Sequence, residues 1–499
     1  MIRAIKAGLL KILDNPRLSV GIIALVSLLI FFIAYLQSAS ITFRVEQWDI
    51  YHFYSTLRID SLHAGDWLKI AFWTPFGDFR LIPLAYLWNF VVFSVLGANM
   101  FFHWLLSIAL TIINCLLLAR FVSILKRTGG LARGLIAGSL FLLLPAKFEI
   151  SIWTFFTYKL IHTAFILLSL IALEEFLWRR EKKYAFTSIV LLFVSCLFYE
   201  LPLLLGAAFF LRVLFFTPSV GRKNKLYVFA LLFIMYASYM LIYHVSASSI
   251  PRLYGMSVLK YMTRYYIPGT LKLNWDIFFW DLPLAFYNWL SQGILLANTG
   301  LSLNIVQTNS HFIFTVPVGN IVAVSLIAAI WCAMLWCSFT GPFERGNIIY
   351  LLLLFLFGSV LVLTGRTLTN GTGYLPALSI YQYFPTMLLA AILGYLMDDV
   401  LVKGRLLHVK RILVITLFIF MIVLGYADYN SIKSYMKLNK YTASLIKRAG
   451  EAIRENPGKR IYAGDYKLPC APVHSVKSKE HTYHALHLLY GDVIVPDRK

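Results

Sequence analysis

Acidic side chains are scarce in this sequence, and Glu46 and Asp49 follow directly after its first long apolar segment. A carboxylate held at the edge of a bilayer beside aromatic rings loses hydration, which raises its pKa. Such a carboxylate suits the role of general base toward a hydroxyl group that attacks an activated carbon. The stretch RVEQWDIYHFY places aromatic residues around Asp49, which is therefore the first catalytic candidate. The later carboxylates Asp60, Asp66 and Asp78 are interpreted as solvated loop residues.

Two further carboxylates, Glu149 and Glu200, stand at the ends of apolar segments. An ionisable group at membrane depth is costly, so a functional role is the default hypothesis for both. A structural alternative stays open for Glu149, because Lys147 and Lys159 are near enough in sequence to pair with it.

A few isolated basic residues are candidates for binding phosphate. Arg366 stands in the stretch TGRTLTNGTGYLP, and Arg264 and Lys272 belong to the long segment before it. Guanidinium groups at a membrane interface suit a phosphate or pyrophosphate, which they bind bidentately. The alternative for any one of them is a side chain that reaches to lipid headgroups. Arg366 is the leading candidate because few other charges surround it.

The sequence gives little support for a metal site. His481, His484 and His487 follow one another at a helical spacing, but only the distant Cys470 or His474 would complete a ligand set. The segment after the first apolar run contains no Asp-x-Asp pair, which weakens a mechanism through a divalent cation. We therefore expect neither a metal nor an organic cofactor.

The composition excludes a soluble protein. Of 499 residues, 60% are hydrophobic and 14% are charged, whereas soluble domains carry about 25% charged residues. Repeated apolar runs of about 17–25 residues have the length that crosses a bilayer as a helix. The net charge of +22 comes mainly from short loops and one tail. This distribution is explained better by the positive-inside rule and by contact with anionic headgroups or phosphates than by binding to nucleic acid. The sequence predicts an all-α polytopic membrane protein.

Charge in the loops predicts the topology. The basic clusters at 126–133, 179–183, 222–225 and 403–411 belong on the cytoplasmic side. That constraint leaves about 11 crossings, expected at 18–37, 101–123, 134–147, 157–177, 184–199, 201–217, 226–246, 318–339, 347–364, 376–396 and 411–427.

Two apolar stretches are expected to stay at the outer interface instead of crossing. A crossing at 81–96 would invert every later basic loop, so this stretch is predicted as an interfacial helix. The stretch 277–296 is interpreted in the same way. The resulting organisation is a membrane domain over 1–427, with outer loops at 38–100 and 247–317, and a basic extracytoplasmic tail over 428–499.

The first residues are basic and precede a long apolar run with no small-residue cleavage site, so an uncleaved signal anchor is expected. A bacterial inner membrane, with the active site facing outward, is the expected location.

The order of several motifs resembles the GT-C superfamily of polytopic glycosyltransferases, which use lipid-phosphate sugar donors. Within it, the chain looks most like the transmembrane O-mannosyltransferases and their bacterial relatives. Those proteins carry an acidic residue early in the first outer loop, where this sequence has Asp49. Their Gly-x-Asn, His, Asn order and their Pro-x-x-x-Glu-x-x-x-Trp element are matched here by Gly97, Asn99, His103 and Asn114, and by Pro145, Glu149 and Trp153.

The sequence also departs from that family. The element that opens the interfacial helix keeps Arg80 and Pro83 but lacks its His, and the following basic residue is displaced to Lys159. A Lys-Glu pair becomes Tyr199-Glu200, and Tyr374-Leu375-Pro376 lies further from Arg366 than expected. Tetratricopeptide repeats are absent from the sequence, so neither the sugar nor a protein acceptor is carried over.

The resemblance implies transfer of a sugar, with inversion, from a polyprenyl-phosphate carrier to a glycan or lipid hydroxyl. Asp49 would be the base, and Arg366, helped by Arg264 or Lys272, would hold the departing lipid phosphate. The remaining implied roles are positioning of acceptor or base by Glu46, Arg80, His103, Glu149 and Glu200, and lipid-phosphate binding by Lys159 and Tyr374.

Two other functions stay open from the residues alone. A transporter or flippase of a lipid-linked saccharide shares the basic loops and the crossings, although no symmetry between halves is evident in the sequence. A polymerase or ligase that uses a lipid-pyrophosphate donor would depend on several outer arginines more than on one early aspartate.

Overall fold

The structure is a computed structural model, and it describes residues 15–41, 51–52, 54–55, 67, 70–71, 82–125, 130–144, 147–199, 202–215, 217, 220–249, 304–307, 312–315, 345–358, 383–403, 407–457, 461–462, 486 and 494–495. The α-helices in these ranges are α1 Pro16–Leu36, α2 Pro83–Leu96, α3 Met100–Ile124, α4 Leu131–Leu143, α5 Phe148–Ile152, α6 Thr157–Arg179, α7 Lys182–Phe198, α8 Pro202–Phe215, α9 Arg222–Ser249, α10 Arg345–Gly358, α11 Tyr383–Lys403 and α12 Leu407–Glu455.

The helices agree with the expected all-α membrane fold. Among the described residues, α1, α3, α6 and α9 are long and apolar enough to cross a membrane, and α2, α4, α8, α10 and parts of α11 and α12 are shorter apolar helices. Every expected crossing overlaps a helix, except the one at 318–339, which lies outside the described residues. The total of about 11 crossings stays a prediction. The stretch 81–96 forms a helix as expected, and the stretch 277–296 lies outside the described residues.

Helix α4 occupies the centre of the bundle and packs against α1, α3 and α11. Small residues allow these close approaches, as is common between helices in membranes. A Cβ atom added to Gly394 on α11 would lie 2.7 Å from the backbone nitrogen of Ala137 on α4. A Cβ atom on Gly134 would collide with the carbonyl oxygen of Ala119 on α3.

One end of the bundle is defined by polar pairs between helix ends, and we call it the basic end. The Arg212 guanidinium on α8 donates to both carboxylate oxygens of Glu174 on α6, at 3.0 and 2.9 Å. The Asn347 amide at the start of α10 donates to the carbonyl of Leu125, just after α3, at 2.9 Å. The Arg120 guanidinium on α3 donates to the Glu175 carboxylate on α6 at 3.2 Å. The ends of α3, α6 and α8 therefore lie together, as the grouping of the basic clusters on one side predicts.

Helix α12 runs for 49 residues, so the boundary predicted at 427 falls inside a continuous helix. Beyond it, β3 Ile461–Tyr462 pairs in parallel with β4 Ile494–Val495, and Ala449, Leu486 and Ile494 form a small apolar cluster. A hairpin of β1 Asn304–Gln307 and β2 Phe312–Thr315 lies in the segment predicted as an outer loop. These two small sheets are additions to the helical fold.

Candidate active site

Two tyrosines that follow Asp49 in the sequence dock onto helix α2. The buried ring of Tyr51 stacks on Phe93 with centroids 4.6 Å apart. The Tyr54 hydroxyl donates to the carbonyl of Tyr86 at 3.2 Å, and its ring meets Phe90 edge-on at 5.3 Å. Burial raises the pKa of the Tyr54 phenol. The segment predicted as the first outer loop therefore contacts α2 at Tyr51 and Tyr54.

His103 lies beside this anchor, on the first turn of α3. Its Nε2 donates to the carbonyl of Gly97 at 2.9 Å, and its ring centroid is 5.4 Å from that of Tyr51. Gly97 ends α2 with a φ of 56°, a conformation that favours glycine. Asn99 is the N-cap of α3, where its side chain accepts a hydrogen bond from the backbone N–H of Phe102. The Gly-x-Asn, His spacing thus builds a helix–turn–helix that holds the imidazole in place.

The segment that carries Glu149 begins with a buried ion pair. Lys147 Nζ donates to Asp428 Oδ2 on α12 at 3.0 Å, and also to the Tyr35 hydroxyl and the Leu144 carbonyl. In the described part of the chain, the carboxylate that pairs with Lys147 is Asp428, and a pairing of Glu149 with Lys147 or Lys159 stays a prediction. Glu149 itself lies in the five-residue helix α5, and its side chain is outside the described part.

Lys159, predicted to bind lipid phosphate, is buried on the first turn of α6. Its Nζ lies 4.4 Å from the ring centroid of Phe156 and 5.1 Å from that of Tyr199. Tyr199 directly precedes Glu200 in the sequence. The basic residue is therefore enclosed by aromatic rings next to the end of α7, and its role in binding phosphate stays a prediction.

The helix ends at the other side of the bundle from the basic end are joined by hydrogen bonds. We call this side the site end. Trp88 Nε1 on α2 donates to Thr157 Oγ1 at the start of α6 at 3.0 Å. Trp104 Nε1 on α3 donates to Ser38 Oγ after α1 at 2.9 Å. His103, Lys147 and Lys159 consequently belong to one end of the bundle.

Asn114, the last residue of the matched Gly-x-Asn, His, Asn order, has structural contacts. Its amide nitrogen donates to the Leu160 carbonyl at 2.9 Å and to the Tyr383 hydroxyl at 3.1 Å. It thereby joins α3 to α6 and α11 inside the bundle.

Several predicted site residues lie outside the described part of the chain: Glu46, Asp49, Arg80, Glu200, Arg264, Lys272, Arg366 and Tyr374. The three-histidine stretch of the tail lies outside it as well, and the described residues contain no group of three or more His, Cys, Asp and Glu placed to hold a metal. Metal independence therefore stays a prediction.

Sequence reasoning missed Asp428 and Tyr35. A signal existed for Asp428, because it is an isolated carboxylate directly after an apolar segment, as Asp49 is.

The fold is similar to that of a solved archaeal membrane oligosaccharyltransferase. The chain is similar to the apo crystal structure of the oligosaccharyltransferase of Archaeoglobus fulgidus, with a TM-score of 0.50, 15% identity, and coverage of 94% of this chain and 64% of that one. A second similar structure is the oligosaccharyltransferase AglB of the same archaeon with an inhibitory peptide and a dolichol-phosphate, at a TM-score of 0.45, 14% identity, and the same 94% and 64% coverage.

The chain spans less than two thirds of the length of these structures, and at this identity the likeness shows the fold alone. It does not single out the O-mannosyltransferases. No protein-family model matches the chain, and no curated protein matches it.

Proposed function

We propose that this protein is an inverting glycosyltransferase that moves a sugar from a polyprenyl-phosphate donor to a hydroxyl acceptor at the outer face of the membrane. The observation that carries the proposal is the docking of Tyr51 against Phe93 and His103. Asp49 is two residues from Tyr51 in the sequence, and two residues of chain span at most about 7 Å. This short separation in sequence from a residue that contacts His103 supports Asp49 as the proposed base.

The reaction needs one proton acceptor and one stabiliser of the leaving group. Asp49 would take the proton of the acceptor hydroxyl as its oxygen bonds to the anomeric carbon from the face opposite the phosphate. The bond between that carbon and the phosphate oxygen breaks, and the electron pair leaves on the lipid phosphate. Arg366, with Arg264 or Lys272, would stabilise this negative charge.

The other residues would orient the reactants. His103 is rigidly held by the Gly97 carbonyl, which suits a group that positions the acceptor or the base. Lys159 would act on the lipid phosphate together with Tyr374. Glu46, Arg80, Glu149 and Glu200 complete the proposed set of positioning residues. The lipid phosphate is itself the leaving group, so the proposed reaction needs no nucleotide at this face.

The test compares sugar transfer by purified full-length protein and by Asp49→Asn, with radiolabelled polyprenyl-phosphate sugars as donors. Asp60→Asn is the matched control, because it neutralises a carboxylate of the same loop that we interpret as solvated. We expect transfer by wild type and Asp60→Asn, and loss of transfer in Asp49→Asn with donor binding retained.

Equal transfer by wild type and Asp49→Asn would remove Asp49 from the mechanism. Absence of transfer with polyprenyl-phosphate donors, combined with transfer from lipid-pyrophosphate donors, would favour a polymerase or ligase. Movement of a lipid-linked saccharide across liposomes without any transfer would favour a flippase.

A further inference from the structure

Three buried polar side chains from distant parts of the sequence meet at the site end. Lys147 follows α4, Tyr35 lies on α1, and Asp428 lies on α12. The side chains of Lys147 and Asp428 are 0% and 1% exposed, and their Nζ and Oδ2 atoms are 3.0 Å apart. The Tyr35 hydroxyl accepts from Lys147 at 3.1 Å and lies 3.5 Å from Asp428 Oδ1, to which it donates.

The Lys147 ammonium is fully hydrogen-bonded. It has three N–H donors, and it meets Asp428 Oδ2, the Tyr35 hydroxyl and the Leu144 carbonyl at 3.0, 3.1 and 3.2 Å. A lysine with all its donors engaged by three separate segments has little freedom to move. The backbone of Lys147 is therefore held at a defined place relative to α1, α4 and α12.

Lys147 directly precedes α5, the helix that contains Glu149. A helix of five residues is not stable on its own, so contacts with the rest of the protein must set its position. Ser151 Oγ donates to the Lys147 carbonyl at 3.3 Å, and Thr111 Oγ1 on α3 donates to Ser151 Oγ at 3.2 Å. The ion pair thus supports α5 at its start, and α3 supports it near its end.

We propose that the Lys147–Asp428 pair is a positioning device that sets the location of α5, and through it Glu149, for the transfer reaction. This inference rests on the proposed function and deepens it, since it gives the long C-terminal helix α12 a part in the active site. The pair does not touch the reacting atoms. It acts by holding the backbone segment to which Glu149 belongs.

The pair has a structural counterpart at the basic end, which supplies a control. Arg212 and Glu174 are also almost fully buried, with side chains 4% and 1% exposed. They join α8 to α6 far from α5. A variant such as Glu174→Gln therefore disturbs a buried ion pair without altering the support of Glu149.

The experiment measures kcat, the acceptor KM, donor affinity and the thermal unfolding temperature for Lys147→Met, Asp428→Asn, Tyr35→Phe and Glu174→Gln. Misplacing a catalytic element by about 1 Å costs on the order of 100-fold in rate. We expect a loss of this size in kcat for Lys147→Met and Asp428→Asn, with donor affinity unchanged. Glu174→Gln is expected to lower the unfolding temperature and keep kcat within about threefold, since it changes no group near the reaction. Tyr35→Phe removes the hydrogen bonds of the Tyr35 hydroxyl with Lys147 and Asp428 but no charge, so it serves as the milder variant if the charge-neutralising ones do not fold.

Two combined variants identify the route of the effect. Reversal of the pair, Lys147→Asp with Asp428→Lys, is expected to regain at least about tenfold of the lost kcat if the ion pair itself is needed. Combining Asp428→Asn with Glu149→Gln is expected to cost no more than about threefold beyond Glu149→Gln alone, because residues that act through one another are not additive.

Wild-type transfer together with unchanged kcat in the folded single variants would overturn the positioning role and leave the proposed function intact. If the double variant lost kcat by the product of the two single-variant losses, for Asp428→Asn and Glu149→Gln, the route through Glu149 would be overturned. Absence of transfer by the wild type would overturn the proposed function and the positioning role with it.

Discussion

The ring of Tyr51 lies 5.4 Å from the imidazole of His103 and is stacked 4.6 Å from Phe93. One aromatic residue thus joins the first outer loop to both α2 and the start of α3. The loop is therefore held against α2 and α3. Gly97 and Asn99, between these two helices, also fix the position of His103. The proposed role of Asp49 as the base requires such a fixed attachment, because catalysis depends on the distance between the base and the acceptor hydroxyl.

Removal of the Tyr51 ring should loosen the attachment of the loop. We expect Tyr51→Ala to lower kcat on the order of 100-fold, whereas Tyr51→Phe keeps the stacked ring and stays within about threefold of wild type. The measurement is sugar transfer at saturating donor, with thermal unfolding as a check that both variants fold. Equal activity of the two variants would show that the stacked ring has no part in placing the base.

Neutralisation of Glu174 should destabilise the basic end. Glu174→Gln leaves the buried Arg212 guanidinium without its counter-charge, and breaking a buried pair in this way costs roughly 3–5 kcal/mol. Replacement of both partners by Met and Leu should recover most of that loss. The free energy of unfolding in detergent gives the comparison. A double variant no more stable than Glu174→Gln would contradict this account.

Truncation of α12 should have sharply different effects on either side of Asp428. A chain that ends at Ala427 leaves Lys147 as an unpaired buried charge and also lacks the buried residues Ile432 and Met436. A chain that ends at Lys437 retains Asp428, Ile432 and Met436. We expect the shorter chain to be less stable by more than about 3 kcal/mol.

Addition of Lys147→Met to the chain that ends at Ala427 separates the two causes of this loss. If the unpaired charge dominates, that substitution recovers part of the lost free energy of unfolding. No recovery would assign the whole effect to the missing apolar contacts.

Substitution of two glycines tests the central packing of α4. The Cβ atom of Gly394→Ala would meet the backbone of Ala137, whereas that of Gly21→Ala on α1 would meet nothing within 4 Å. We expect Gly394→Ala to lower the free energy of unfolding by about 1–3 kcal/mol through overpacking. Gly21→Ala should raise it by up to about 1 kcal/mol, because alanine has the higher helix propensity. Thermal unfolding of the two variants side by side checks the difference. Equal unfolding temperatures would mean that α4 and α11 separate without cost.

The sequence by itself determined the features that depend on local chemistry. Apolar runs of the length that crosses a bilayer predicted the helices, and charge in the loops predicted that the ends of α3, α6 and α8 lie together. The helix at 81–96 was expected from the same charge pattern. The Gly97, Asn99 and His103 spacing marked the turn before α3, because caps and turns are set by a few adjacent residues.

Only the tertiary structure decided which buried charges meet. Lys147 and Asp428 are 281 residues apart, and no local pattern links them. The sequence offered the nearby Glu149 as one alternative partner for Lys147. The same limit hid the role of Asp428, because the boundary predicted at 427 falls inside α12, which continues unbroken to Glu455. A carboxylate in an apolar environment needs a partner charge, and the fold selects that partner by bringing the ends of distant helices together.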